Sequence, residues 1–87
     1  MGYRITFRAT FRKELRRVPG VYRKAIVRKI QHLTEDPRPH GVQKLQGAEN
    51  YYRIRQGDYR IIYGIYDDVL VVELVKIGHR KDVYRSN

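Results

Sequence analysis

The chain has 87 residues, no cysteine and a formal charge of +10, from nineteen Lys and Arg against nine Asp and Glu. That length suits one small domain with a modest core; the absence of cysteine excludes a disulfide framework and a thiolate metal site, and the positive excess asks for a polyanionic partner, either nucleic acid or an acidic protein. No window approaches the ~20 apolar residues that span a bilayer, and Met1-Gly2-Tyr3-Arg4-Ile5-Thr6-Phe7-Arg8 has no continuous apolar signal segment, so a soluble cytoplasmic protein without a membrane partner is expected.

Tyr3, Ile5 and Phe7 alternate with Arg4, Thr6 and Arg8, which predicts a short half-buried strand. The period then changes. Phe11, Leu15 and Val18 recur at helical spacing, and after Pro19-Gly20 so do Tyr22, Ile26, Ile30 and Leu33, giving two amphipathic helices joined at Pro-Gly. The second helix should stop near Glu35-Asp36, where Asp36-Pro37-Arg38-Pro39 removes amide donors and favours extended backbone. A loop is expected to about Gly47. Three β-branched and aromatic runs follow, Tyr51 to Arg55, Tyr59 to Tyr66 and Val69 to Ile77, with Gln56-Gly57-Asp58 and Asp67-Asp68 as hairpin turns.

These elements make an α+β domain in the order β-α-α-β-β-β: a small, mainly antiparallel four-stranded sheet with the N-terminal helical hairpin packed on one face. Arg12, Lys13, Arg16, Arg17, Arg23, Lys24, Arg28 and Lys29 lie off the apolar stripes, where a solvated helix face explains them as well as contact with nucleic acid does.

Strand parity separates the arginines of the last third from this background. Tyr52 and Ile54 point to one face, and Tyr51, Arg53 and Arg55 to the other. Arg60 opens the next strand across a hairpin turn, so Arg53, Arg55 and Arg60 can share a wet sheet surface. Guanidinium groups are permanently charged forks that match phosphate oxygens, and the closing run Gly78-His79-Arg80-Lys81-Asp82-Val83-Tyr84 adds groups able to move protons. His32 and His40 have no partner constellation in the sequence, and Glu49 with Asp67-Asp68 reads as loop and turn. No metal is expected.

The segments Lys44-Leu45-Gln46-Gly47, Tyr52-Arg53-Ile54-Arg55, Gly57-Asp58-Tyr59-Arg60-Ile61-Ile62-Tyr63 and Gly78-His79-Arg80-Lys81-Asp82-Val83-Tyr84 together resemble the RelE branch of the RelE/ParE toxin superfamily, over nearly the whole chain. The resemblance implies a single RelE-like toxin domain over residues 1–87 and one half of a type II toxin–antitoxin pair. It further implies a metal-independent endoribonuclease, without a small-molecule cofactor, that cuts messenger RNA in the ribosomal A site. Its partners would be a cognate RelB-like antitoxin and the ribosome with its mRNA.

Carried over by position, the family's paired basic residues fall on Arg53 and Arg55, its phosphate arginine on Arg60, its C-terminal arginine on Arg80 and its catalytic tyrosine on Tyr84. Lys44, Lys81 and Arg85 are expected to contact RNA. Well-studied members carry lysines at the positions of Arg53 and Arg55, and arginine is a poor proton acceptor. Proton transfer is therefore expected of His79, whose imidazole can exchange a proton at neutral pH, together with Tyr84. Two other readings remain open on the sequence: a ParE-like inhibitor of DNA gyrase, and a basic module that binds RNA or antitoxin without cutting.

Overall fold

The computed structural model describes residues 2–79. In chain order the elements are β1 (Arg4–Phe7), α1 (Ala9–Arg17), α2 (Gly20–His32), β2 (Gln43–Lys44), β3 (Tyr51–Gln56), β4 (Tyr59–Tyr66) and β5 (Val71–His79). The strands form one sheet in the order β1-β5-β4-β3-β2. Neighbours from β2 to β5 run antiparallel, while β1 lies parallel to β5, with Ile5 opposite Val72 and Phe7 opposite Leu74.

The α+β class and the mainly antiparallel sheet agree with the sequence. The strand count does not: β2 is a fifth strand, inside the segment expected to be loop. It is two residues long, with Gln43 opposite Arg53 and Lys44 opposite Tyr52. Two residues are too few to display an alternation, which is why pattern alone misses it.

Local chemistry explains the helix boundaries. Pro19 drives Val18 into extended backbone (φ −74°, ψ 130°), so α1 ends at Arg17 and α2 starts at once at Gly20. The Arg23 guanidinium donates to the freed Val18 carbonyl at 2.9 Å. Regular helix stops at His32, three residues before the expected end. From there the Leu33, Thr34 and Glu35 amides bond three residues back rather than four, a tightening common where helices unwind. The Thr34 carbonyl then accepts the Tyr3 amide at 2.8 Å and anchors the start of β1.

The core lies between the helices and one face of the sheet. Phe11, Val18, Ile26, Ile30 and Leu33 from the helical side meet Ile54, Ile61, Tyr63, Ile65, Val72, Leu74 and Ile77 from the strands. Between Ile62 and Tyr63 the register with β5 shifts, so that Ile62 opposes Lys76 while Tyr63 opposes Leu74. One extra β5 residue, Val75, is accommodated as a bulge that keeps the apolar side chains on the core side. Glu14 of α1 secures this region: one carboxylate oxygen accepts the Ile77 amide at 2.9 Å and the other lies 3.3 Å from the Lys76 ammonium.

The β5 strand begins at Val71, two residues later than expected, because the turn from β4 is longer than Asp67-Asp68. Val69 and Leu70 belong to it and are exposed, and Leu70 has φ +56°. The loop after α2 is fixed by polar ties. The Tyr63 hydroxyl, in the core, donates to the Pro37 carbonyl at 2.8 Å, and burial raises its pKa well above the usual phenol value. Arg38 lies over the Tyr52 ring and pairs with Asp67 at 2.8 Å; Asp67 also accepts the Tyr3 hydroxyl at 2.6 Å. Arg38 first and Tyr3 second hold the Asp67 carboxyl below its ordinary value.

Candidate nucleic-acid interface

The face of the sheet away from the helices carries the arginines. In the β3–β4 ladder Arg53 opposes Ile62, and Arg55 lies directly opposite Arg60. Partners in a ladder point to the same side, so all three guanidinium-bearing residues share the open face while Ile54 and Ile61 between them fill the core. The expected shared surface is thus present in the strand register.

Placing two like charges opposite each other in a hairpin costs a few tenths of a kcal/mol or more. An anion lying between two such guanidinium groups offsets that cost. Arg53 is oriented from the other side: its guanidinium donates to the Gln43 side-chain oxygen at 2.5 Å. The short β2 strand therefore positions an arginine. Arg60 is 5% exposed, the one buried charged residue among those described. Held out of bulk water, its charge is screened less than a surface arginine's, which strengthens its pull on a phosphate.

These residues line a cleft of about 290 Å³ at the free edge of β3, where β2 has ended. Lys29 of α2, His40 and Gly41 of the loop, and Gln43, Arg53, Ile54, Arg55 and Arg60 form its walls. Three arginines and a lysine line it and, among the described residues, no carboxylate does. Lys29 and His40 were not legible as site residues. Lys29 looks like any other cation of a basic helix, and His40 follows a proline in a loop whose path no local pattern fixes. Gly41, at φ +92°, turns the chain there, so that His40 and Gln43 both border the cleft.

His79 does not join the arginines. It pairs with Tyr59 in the β4–β5 ladder, and its ring meets the Tyr59 ring edge-on with centroids 5.5 Å apart. Tyr59 in turn touches Tyr22 of α2 at 6.0 Å. His79 therefore sits on the helix-facing side, whereas Gly78, its neighbour, lies opposite Arg60. His79, expected to share proton transfer with Tyr84, thus lies on the other face of the sheet from Arg53, Arg55 and Arg60: one residue along a strand reverses the face.

Lys44 is exposed on the edge strand and, opposite Tyr52, points to the other side from Gln43 and Arg53. Arg80, Lys81, Tyr84 and Arg85 lie outside the described residues. Among the residues described, no three His, Cys, Asp or Glu side chains gather as a metal site, and no helix is long and apolar enough to cross a membrane.

This is a small basic α+β domain with a cationic cleft on a β-hairpin edge, and comparison with known proteins gives it a family. The family described as the ParE toxin of type II toxin–antitoxin system, parDE, matches residues 5–84, and the chain belongs to it. Within it the chain is RelE-like. It is 34% identical over 85 residues to toxin RelE3 of Methanocaldococcus jannaschii, covering 93% of this chain and 94% of that protein. It is 30% identical over 83 residues to the mRNA interferase toxin RelE of Escherichia coli K12, covering 93% and 86% respectively. Among solved structures, the archaeal RelE–RelB complex from Pyrococcus horikoshii OT3 aligns with a TM-score of 0.82 at 29% identity, over 92% of this chain and 97% of that one. The protein is a RelE-like toxin of a toxin–antitoxin system.

Proposed function

We propose that this toxin is an endoribonuclease that cleaves messenger RNA at the ribosome, with the cleft around Arg53, Arg55 and Arg60 holding the scissile phosphate. The observation that carries the proposal is the strand register that sets Arg55 opposite Arg60 and brings both, with Arg53 and Lys29, to the lining of one cleft. The name of the Escherichia coli relative, an mRNA interferase, supports the reaction class.

In the proposed reaction the 2′-hydroxyl of the preceding nucleotide attacks phosphorus and loses its proton to a base. The bond from phosphorus to the 5′-oxygen breaks, and that oxygen is protonated as it leaves, giving a 2′,3′-cyclic phosphate and a 5′-hydroxyl. Charge builds on the phosphoryl oxygens in the transition state, where Arg60 and Arg55 meet it, while Arg53 and Lys29 neutralise neighbouring phosphates. Arg80 and Tyr84 keep the clamp and proton-transfer roles that the family resemblance implies. His40 takes the place first expected of His79, because imidazole exchanges protons near neutrality and His40 borders the same cleft. The antitoxin partner is proposed from the toxin–antitoxin complexes among the structural neighbours, including that of Pyrococcus horikoshii. Localisation in the cytoplasm follows from a ribosomal target.

The test is to express the toxin briefly and map mRNA 5′ ends on translating ribosomes, beside Arg60→Ala and Tyr84→Phe. New cuts at codon positions that vanish in Arg60→Ala are expected. Absence of cuts with the native protein, together with inhibition of gyrase supercoiling, would replace the nuclease by a ParE-like activity, which the family description keeps in view. Single-turnover cleavage should fall with His40→Gln and not with His79→Gln.

A further inference from the structure

The open face of the sheet does not end at the arginines. Along β3 the residues facing this side are Arg55, Arg53 and then Tyr51, so Tyr51 lies about 6.6 Å beyond Arg53 at two strand steps. Tyr51 opposes Gly64 of β4, and Gly64 opposes Glu73 of β5. Gly64 is a gap in the side-chain layer. A Cβ there would lie 3.0 Å from a ring carbon of Tyr66 and 3.2 Å from one of Tyr51. The two rings thus rest against the sheet over the glycine, a placement that any larger residue obstructs, and both remain half-exposed.

The rims of these rings are pinned. The Tyr66 hydroxyl donates to that of Tyr51 at 3.5 Å, and the Arg8 guanidinium donates to the Tyr51 hydroxyl at 3.2 Å and to Glu73 at 3.1 Å. Donation to Tyr51 keeps the Tyr66 phenol protonated, its pKa pushed up to about 12. Arg8 and Glu73 cancel each other's charge, so this patch, unlike the cleft, has no excess of cations to attract phosphate. It offers preoriented aromatic surface instead.

We infer that Tyr51 and Tyr66 form a stacking platform for an unpaired nucleobase of the same RNA strand whose phosphates lie on Arg53 and Arg55. The inference rests on the phosphate reading of the cleft. Its chemistry is the one single-stranded RNA calls for: cations for the backbone and an aromatic face for a splayed base, one repeat further along the strand. Tyr51 and Tyr66 thereby take part in choosing where along the message the cut falls, since a base of larger ring area stacks better.

The test uses a short 2′-O-methyl RNA, which cannot be cleaved, and the same oligonucleotide with abasic residues, which keeps the phosphates and loses the bases. Binding is read by fluorescence anisotropy. The native protein is expected to prefer the base-bearing strand by about 10-fold, in line with one stacked base. Tyr51→Leu/Tyr66→Leu should bind both strands alike with an unchanged salt dependence, and Tyr51→Phe/Tyr66→Phe should keep the preference. Equal binding of the two strands by the native protein, or a preference that survives in the double leucine variant, overturns the platform. Arg55→Gln distinguishes the two levels of the argument. If it weakens binding to both strands while no base preference exists, only the platform falls; if it leaves both unchanged, the phosphate reading falls and takes the platform with it.

Discussion

The two faces of the sheet are made from the same strands and alternate residue by residue, yet they do opposite things. On one side Ile54, Ile61 and Tyr63 meet Phe11, Ile26 and Leu33 of the helical layer and exclude water. On the other, Arg53, Arg55 and Arg60 surround a cleft that gathers positive charge. The contrast teaches that stability and recognition are separated here by a single step of the backbone, about 3.3 Å along a strand. Substitutions should therefore sort by parity: those on the core side should change melting, and those on the open side should change RNA binding and cleavage.

The largest effect is expected at the core. Phe11→Ala removes a side chain with no exposed surface and should cost about 3–5 kcal/mol of unfolding free energy, measured by denaturant titration. A loss under about 1 kcal/mol would mean the helical layer is not what holds the sheet. Next, Arg60→Ala should lower single-turnover cleavage by roughly 100-fold or more, comparable to losing one preorganised transition-state donor. The comparison between faces breaks if cleavage falls no more than the folded fraction does.

Tyr63 gives a smaller and pH-dependent contrast. Its pKa in the fold is raised above the free value of 10.0 by burial, so the unfolded chain ionises first as pH rises. The stabilisation it provides is complete below pH 10.0 and declines above it. Tyr63→Phe leaves the Pro37 carbonyl without this donor and should cost about 1 kcal/mol at neutral pH. It should also lose less stability than the native protein between about pH 10 and 12 in alkaline melts, since the variant has no phenol to ionise at that position. Equal alkaline slopes would show that Tyr63 is not desolvated.

The smallest expected effect lies in the turn before β5. Leu70→Gly relieves a positive φ at an exposed leucine and should raise stability by at most about 1 kcal/mol, with RNA binding unchanged. A destabilised variant would mean that Leu70 packs in a way its 47% exposure does not suggest.

Parity was the part of this molecule most legible in the sequence. The alternation of Tyr52-Arg53-Ile54-Arg55 puts Arg53 and Arg55 on one face and the turn expected at Gln56-Gly57-Asp58 brings Arg60 near them; that Gln56 still belongs to β3, so that a two-residue turn sets Arg55 opposite Arg60, is seen only in the structure. The same rule, carried through to β5, separates His79 from them, but its application needs the register of a strand whose start depends on how long the Asp67 turn is. Lys29, His40 and Gln43 were illegible for a different reason. They reach the cleft from a helix, a loop and a two-residue strand, and only tertiary packing joins those three. Tyr51 and Tyr66 read as ordinary strand aromatics until Gly64 is seen to oppose Tyr51.

What distinguishes this reading is that the cations lining the cleft, the open-face arginines with Lys29 at its wall, hold the phosphates, and the basic helix residues outside the cleft do not. The most direct measurement is the salt dependence of binding to a non-cleavable single-stranded RNA, for the native protein, Arg55→Gln in the cleft and Lys24→Gln on α2. Each phosphate contact contributes about 0.7 to the slope of log affinity against log salt for single strands. Arg55→Gln should lower the slope by about that amount while Lys24→Gln leaves it unchanged. A slope unaltered by Arg55→Gln, or lowered equally by Lys24→Gln, would contradict this reading.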